Sequence, residues 1–506
     1  QAFIEKHSDK IAGCISYFDR VVMTGSITGI SYAQGMEKHL REKGIRIFDY
    51  TKFAEPLREE IRANAERIAA QNGLAIDFIR RNNFRKEDMI KKIIEKRGDH
   101  PGLVHIFSAM EACPSFEPWH DKKNAQDFSQ NKDAKCLHYY FYFIDPALGL
   151  CYLRVPTWAP FRLQFYFNGH NELAAKLRKA GAGFDMLDNA LVNISDMKKA
   201  ARLADTFNVG RLHRIIARHE TQYCPVLRHF PGGRHWSIMQ VEYSTDIIFK
   251  RRQDFQPLYE KLVRTAIHCV KPDNVATFLG RKLHGNHAGE IGNDFHTRIQ
   301  GARIKHHMGK ASIKMYDKMG IILRVEVTAN DVSLFLHHRW VEHRDGTREM
   351  KFAPMKKTIY SLPPLAEVMS AANRRYLDFI AAIDDPAPNI KTLDKISRPA
   401  TDGNRTFRGF NVFHGEDLDL FNTIIRGEFF INGFTNRALR EFFPGKSSSQ
   451  TTRLLKRLRI HGIIKKVARQ RKYYLSQMGR TVISAALKLR EIVLIPSLGS
   501  FANASL

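Results

Sequence analysis

Residues 139–169 read YYFYFIDPALGLCYLRVPTWAPFRLQFYFNG, and this stretch limits the fold more than any other. Aromatic and β-branched side chains at such density suit a pleated surface covered on both faces, and are poor material for a helix or an exposed loop. The run divides into a strand ending at Asp145, a returning strand GLCYLRVPTW and a third strand FRLQFYFNG. Between the first two, DPALG has Asp and Pro at the first two positions of a tight turn. A helix, HNELAAKLRKAG, then closes on glycine, and a short strand in GFDMLDNALVNI runs straight into Asp188 and Asn189.

This order, β-β-β-α-β with one acid after the first strand and another after the fourth, resembles the RNase H-like fold of DDE transposases and integrases. The Asp-Asn pair in LDNA is similar to the dipeptide that often carries that family's second acid. The resemblance implies a DNA-binding, metal-dependent nuclease or polynucleotidyl transferase of a mobile genetic element. It implies Asp145, Asp188 and Glu242 as catalytic metal ligands, with Asp246 as substitute for the third. A later helix should supply that third acid, and SIMQVEYSTDIIFKRRQDF spaces Glu242 and Asp246 four apart, on one helical face. The implied cofactor is Mg2+, with Mn2+ as the alternative. Hard oxygen ligands from separate elements suit two such ions, one activating the attacking oxygen and one stabilising the leaving oxygen. Each acid also has an ordinary reading as a turn residue, a solvated side chain or the partner of an arginine.

Near the C-terminus the pattern changes to short amphipathic helices. DLDLFNTIIRG and FTNRALREFF are followed by PGK and then by SSSQTTRLLKRLRIHG, which has a serine N-cap and a closing glycine. IIKKVARQRKYYLS follows as an alternating hairpin with Arg469, Gln470, Arg471 and Lys472 at its tip, and a last helix comes after it. Over residues 417–490 this resembles the winged-helix domain of bacterial regulators of the MarR and ArsR type. The resemblance implies that the third helix, with Gln450, Arg453, Lys456 and Arg457, enters a major groove, while Arg469, Arg471 and Lys472 lie along the backbone. Between Arg437 and Lys472 basic residues far outnumber the single acid, Glu441, as phosphate neutralisation requires. Duplex DNA suits a recognition helix better than RNA, whose major groove is deep and narrow.

A competing constellation lies in ASIKMYDKMGIILRVEVTAND, residues 311–331, a second hairpin. YDK followed by LRVE resembles a segment of rolling-circle replication initiators, which nick DNA through a tyrosine. The resemblance implies Tyr376, beside Arg374 and Arg375, as nucleophile, and His306 or His307 as metal ligands. Adjacent residues on a strand face opposite ways, so His306 and His307 are not expected to share one ion. The plainer reading is a half-exposed sheet with ion pairs among Lys314, Arg324 and Glu326, its polar face lining a nucleic-acid channel. The pairs His284/His287 and His337/His338 lack zinc-site spacing and read as surface or phosphate-contacting residues.

With 80 Lys and Arg against 52 Asp and Glu, the 506-residue chain carries a formal charge of +28. That excess repels itself unless a polyanion neutralises it, so nucleic acid is the expected partner, a membrane is not, and a homo-oligomer is left open. Six scattered cysteines without a CxxC pair, and an N-terminus lacking a signal-peptide core, point to a reducing cytoplasm. The expected fold is α/β and multidomain. It comprises an N-terminal open α/β sheet over 1–111, with Asp49 and Glu111 near strand ends, and a polar loop or insertion at 112–135. An RNase H-like core over 136–270 and a mixed α/β region with a strand meander over 271–383 follow. A linker at 384–413 then leads to a winged-helix domain over 414–506. A non-catalytic DNA- or RNA-binding protein is the remaining alternative.

Overall fold

The computed structural model describes residues 2–80, 84–123, 126–230, 232–283, 290–298, 301–383, 390–426, 429, 433–467 and 470–488. The fold is mixed α/β, and its largest sheet is mixed in direction. That sheet takes β1 (Ile11–Ile27), β2 (Ile76–Phe78), β3 (Gly102–Asp121), β4 (Gln126–Asp145), β5 (Gly149–Pro156) and β6 (Leu163–Phe167). It also takes β9 (Arg234–Phe249), β10 (Ile291–Arg298), β11 (Gly301–Met308), β12 (Ala311–Lys318) and β13 (Ile322–Ala329). The strand order is β10-β11-β12-β13-β9-β1-β6-β5-β4-β3-β2. Two further strands, β7 (Asp185–Leu187) and β8 (Ala190–Val192), form a separate hairpin. By packing, the chain divides into one unit of residues 15–244 and 328–367 and another of 1–14, 245–327 and 368–506.

In the first unit the aromatic run forms β4, β5 and β6 as the composition requires. Phe141 and Phe143 face Tyr223 and His219 of the helix Val209–Tyr223. Phe141 stacks on Tyr223 at 4.5 Å and Phe143 on His219 at 3.9 Å. Alternate residues Tyr140, Tyr142 and Tyr152 pack on the opposite face with Val104, Phe107 and Ile90, the last from the helix Lys86–Arg97. Both faces are therefore covered, and both consist of aromatic and aliphatic groups.

Three expectations change here. The polar stretch 112–135, expected as a loop or insertion, is largely strand: β3 and β4 pair in continuous register from Glu111 opposite Cys136 to Asp121 opposite Gln126. Ladder hydrogen bonds do not need apolar side chains, so a largely polar ribbon reads as a loop in the sequence. IRIFDY forms no strand; Ile47–Asp49 is a helical turn leading into the helix Tyr50–Gln71. Finally, β7 stands outside the large sheet, because β3 occupies the whole free side of β4.

In the second unit β12 and β13 form the expected hairpin, but it is not half-exposed. Every residue of β13 is buried, including Arg324 and Glu326. Glu242 and Asp246 lie within β9 and not on a helix. The C-terminal part contains the helices Gly415–Ile424, Asn436–Arg440, Ser448–Ile460 and Gln477–Lys488, with β18 (Ile464–Lys466) and β19 (Tyr473–Leu475) before the last. Among the described residues no helix is long and apolar enough to cross a membrane.

Candidate nucleic-acid interface and carboxylate pair

Local signals place the C-terminal helices. Thr435 caps Asn436–Arg440 by accepting from the Ala438 amide at 3.2 Å. Ser447 and Gln450 form a reciprocal capping box at the start of Ser448–Ile460, with Gln450 Oε1 accepting from the Ser447 amide at 2.7 Å. Gly462, at φ 73°, ends that helix in a conformation that a side chain would strain. β18 and β19 pair from Ile464–Leu475 to Lys466–Tyr473. Phe434 bonds to Tyr473 in both directions, at 2.9 and 2.8 Å, so the segment before the second helix joins the hairpin.

The basic residues divide into two groups. Arg457 is buried, and its guanidinium grips Asp417 through two bonds of 2.7 and 2.9 Å while also donating to the carbonyls of Arg408 and Gly409. Its expected groove contact is therefore corrected: it fastens the third helix to the first. Lys456 pairs with Asp402 at 2.9 Å and is half-buried. Arg453 and Gln450 are exposed, as are Ser449, Thr452 and Arg459 of the same helix. On the hairpin Arg471 is exposed and Lys472 half-buried, whereas Arg469 lies outside the described residues, as do His284 and His287.

Of the other expected contacts, Arg324 is fully buried and donates to both oxygens of Asp246, at 2.6 and 2.7 Å. Neither residue is available to nucleic acid or metal, because each is the other's compensation in a dry interior. Lys314 donates to Glu326 at 2.8 Å, and Tyr316 to the same carboxylate at 3.0 Å. Tyr376 is wholly buried, with its hydroxyl 3.1 Å from His306 Nε2, and burial raises its pKa well above the ordinary value. A nucleophile needs access and a low pKa, so the tyrosine reading is corrected. His306, held at 2.6 Å from Asn293 Oδ1, is buried and its pKa is lowered to about 4 by desolvation.

The predicted acids Asp145, Asp188 and Glu242 do not gather at one point. Asp145 is buried at the end of β4, and its Oδ1 accepts from the amides of Ala147 at 2.8 Å and Leu148 at 3.2 Å. Its Oδ2 takes Arg218 and lies 3.1 Å from His219 Nε2. Burial opposes ionisation, but His219 and the two turn amides outweigh it and hold the carboxyl below its usual range. Asp145 is thus a turn and ion-pair residue. Asp188 sits exposed at the tip of β7–β8, at φ 53°.

A different acid meets Glu242. Asp19, buried on β1, has a carboxylate oxygen within 4.8 Å of one from Glu242 on β9. Asn189, the second residue of the Asp-Asn pair, donates to both oxygens of Asp19 at 2.8 Å. His170 Nδ1 lies 3.3 Å from Asp19, and Thr328 donates to Glu242 at 3.4 Å. Two carboxylates this close repel when both are ionised, and hard oxygen donors from two strands fit a divalent cation such as Mg2+ or Mn2+. The sequence hint was present in YFDRVV, an acid amid the apolar residues of a long strand, but nothing in that strand marks its partner 223 positions later.

No protein-family model matches the chain, and neither a curated protein nor a solved structure shows significant similarity to it.

Proposed function

We propose that this chain binds duplex DNA through the helix Ser448–Ile460 and the β18–β19 hairpin. The observation that carries the reading is the division of labour among the basic side chains. Arg457 is consumed in fixing the third helix, while Arg453 on that helix and Arg471 on the hairpin project outward. Among the described residues, the helices Gly415–Ile424, Asn436–Arg440 and Ser448–Ile460 followed by a hairpin, with the last helix's polar face exposed, would supply the element that enters a major groove and the arm that follows the backbone. Backbone contacts of this kind give affinity without reading sequence, and the exposed Ser449 and the Nε2 of Gln450, whose Oε1 takes the Ser447 amide, would be the groups to meet base edges. The test is fluorescence anisotropy with a labelled 20-base-pair duplex. Arg453→Glu with Arg471→Glu should abolish binding at moderate salt while leaving the melting temperature unchanged. Wild-type affinity in that variant would overturn the reading.

A second reading, phosphodiester cleavage with a divalent cation, is supported by the Asp19–Glu242 pair. These two residues would hold the ion, which when bound polarises a phosphoryl oxygen. Asn189 fixes the rotamer of Asp19 through both its oxygens, and Thr328 supports Glu242. Supercoiled plasmid incubated with Mg2+ or Mn2+ should be nicked by the wild type and not by Asp19→Asn or Glu242→Gln. Asp145→Asn and Tyr376→Phe should retain cleavage. Nicking that persists in Asp19→Asn would remove the carboxylate pair from the chemistry.

A further inference from the structure

Residues Leu336–Glu342 and Arg348–Pro354 form β14 and β15, a two-stranded ribbon outside the large sheet. In its register His338 lies opposite Phe352 and Trp340 opposite Met350. Side chains alternate along each strand, so these four share one face. Trp340 is 61% exposed, Phe352 55% and Met350 52%. The rings of His338 and Phe352 sit 5.3 Å apart. A two-stranded ribbon is marginal in water, and one that keeps its largest aromatics in solvent forgoes the burial that would stabilise it. Folding alone does not account for this face.

The ribbon is nonetheless well built. Its tip closes with His343 donating to the Thr347 carbonyl at 2.9 Å and Gly346 at φ 82°, where the absence of a side chain is needed. Asp345 Oδ1 accepts from both the amide and the hydroxyl of Thr347, at 3.0 and 2.7 Å. Residues 336–357 hold six Lys and Arg against three acids. Those acids are already engaged: Asp345 in the turn, Glu342 with Arg348 at 3.3 Å, and Glu349 with Lys351 and with His343 at 3.2 Å. Arg348 and Lys351 are taken up by these pairs and Lys357 by Asp331, so the ribbon's surplus positive charge comes to Arg339, Arg344 and Lys356, which suits a polyanion better than a basic partner.

We propose that the β14–β15 face is a stacking platform for the unpaired bases of a single-stranded nucleic-acid segment. Successive rows on one face of a strand are about 6.8 Å apart. That matches two steps of a stacked nucleic-acid strand, at about 3.4 Å each, so a base fits between the His338–Phe352 row and the Trp340–Met350 row. Every base has a π-face, so such a platform tolerates any sequence, and the surrounding Arg and Lys hold the phosphates. The proposal rests on the nucleic-acid reading above and extends it from duplex to melted or displaced strand.

The test uses the full chain and two labelled probes, a 20-nucleotide oligothymidylate and a 20-base-pair duplex, at one salt concentration. Trp340→Ala with Phe352→Ala should weaken oligothymidylate binding about fivefold or more for each ring removed, with duplex binding unchanged. If the double variant melts early, Trp340→Phe and Trp340→Thr separate the causes: both suit a strand, and only Phe should keep the affinity. Unchanged oligothymidylate binding in the folded variants would overturn the proposal. So would a wild type that binds duplex but no single strand. A shift from dimer to monomer in the double variant, with strand binding intact, would give the face to a second copy of the chain and overturn the proposal too. Loss of duplex binding in the Arg453 variant bears on the earlier reading alone.

Discussion

Asp145 and Asp19 show how little an acid's neighbours in sequence reveal about its work. Asp145 follows a strand and begins a DP turn, which suits a metal ligand and a turn residue equally. Its partners Arg218 and His219 lie more than seventy positions away and decide for structure. The same long-range burial sets the histidines. His306 and His138 each have a pKa lowered to about 4, in both cases first by desolvation. Each is neutral when folded and takes a proton more readily when unfolded. The stability they contribute is therefore fully present above about 6.5 and lost as the pH falls towards 4. Denaturation midpoints measured from pH 7.5 to 4 should drop through that window, and His306→Asn should flatten part of the drop. A midpoint independent of pH in that range would mean that these imidazoles titrate normally.

At the level of elements, what the sequence showed depended on whether local pattern or distant contact was in charge. The strands around Asp145, the helix closing on Gly181, the β12–β13 hairpin and the capped helix at Ser447 were all legible, because periodicity and caps are local. The outer β3–β4 ribbon was not, since its polar side chains carry no alternation and its order comes from backbone pairing. Nor was the third acid's setting: VEYSTDIIF spaces Glu242 and Asp246 for a helix, but its β-branched and aromatic residues go into β9, where tertiary packing wins. Arg457 was grouped with Arg453 because both lie on one helix, and only the return of Asp417 against it separates them. Burial predicts opposite phenotypes for the two. Arg457→Met should cost about 3–5 kcal/mol by stranding the Asp417 charge, seen as a lower midpoint in urea. Arg453→Ala should leave that midpoint alone, and equal midpoints for all three proteins would contradict the assignment.

For the whole molecule, the charge of +28 is the property that the proposed nucleic-acid partner would answer. Some of it is spent internally, in Arg324–Asp246, Arg457–Asp417, Lys314–Glu326 and Arg218–Asp145. The surplus is carried by exposed residues such as Arg453, Arg459 and Arg471, which a polyanion would neutralise while releasing its counterions. The measurement that tests this account most directly is the salt dependence of duplex binding, for the wild type and for Arg453→Ala with Arg471→Ala. A plot of log binding constant against log salt should be steep and linear, and shallower in the double variant by about one for each cation removed. Identical slopes, or binding indifferent to salt, would contradict the claim that these side chains meet phosphates.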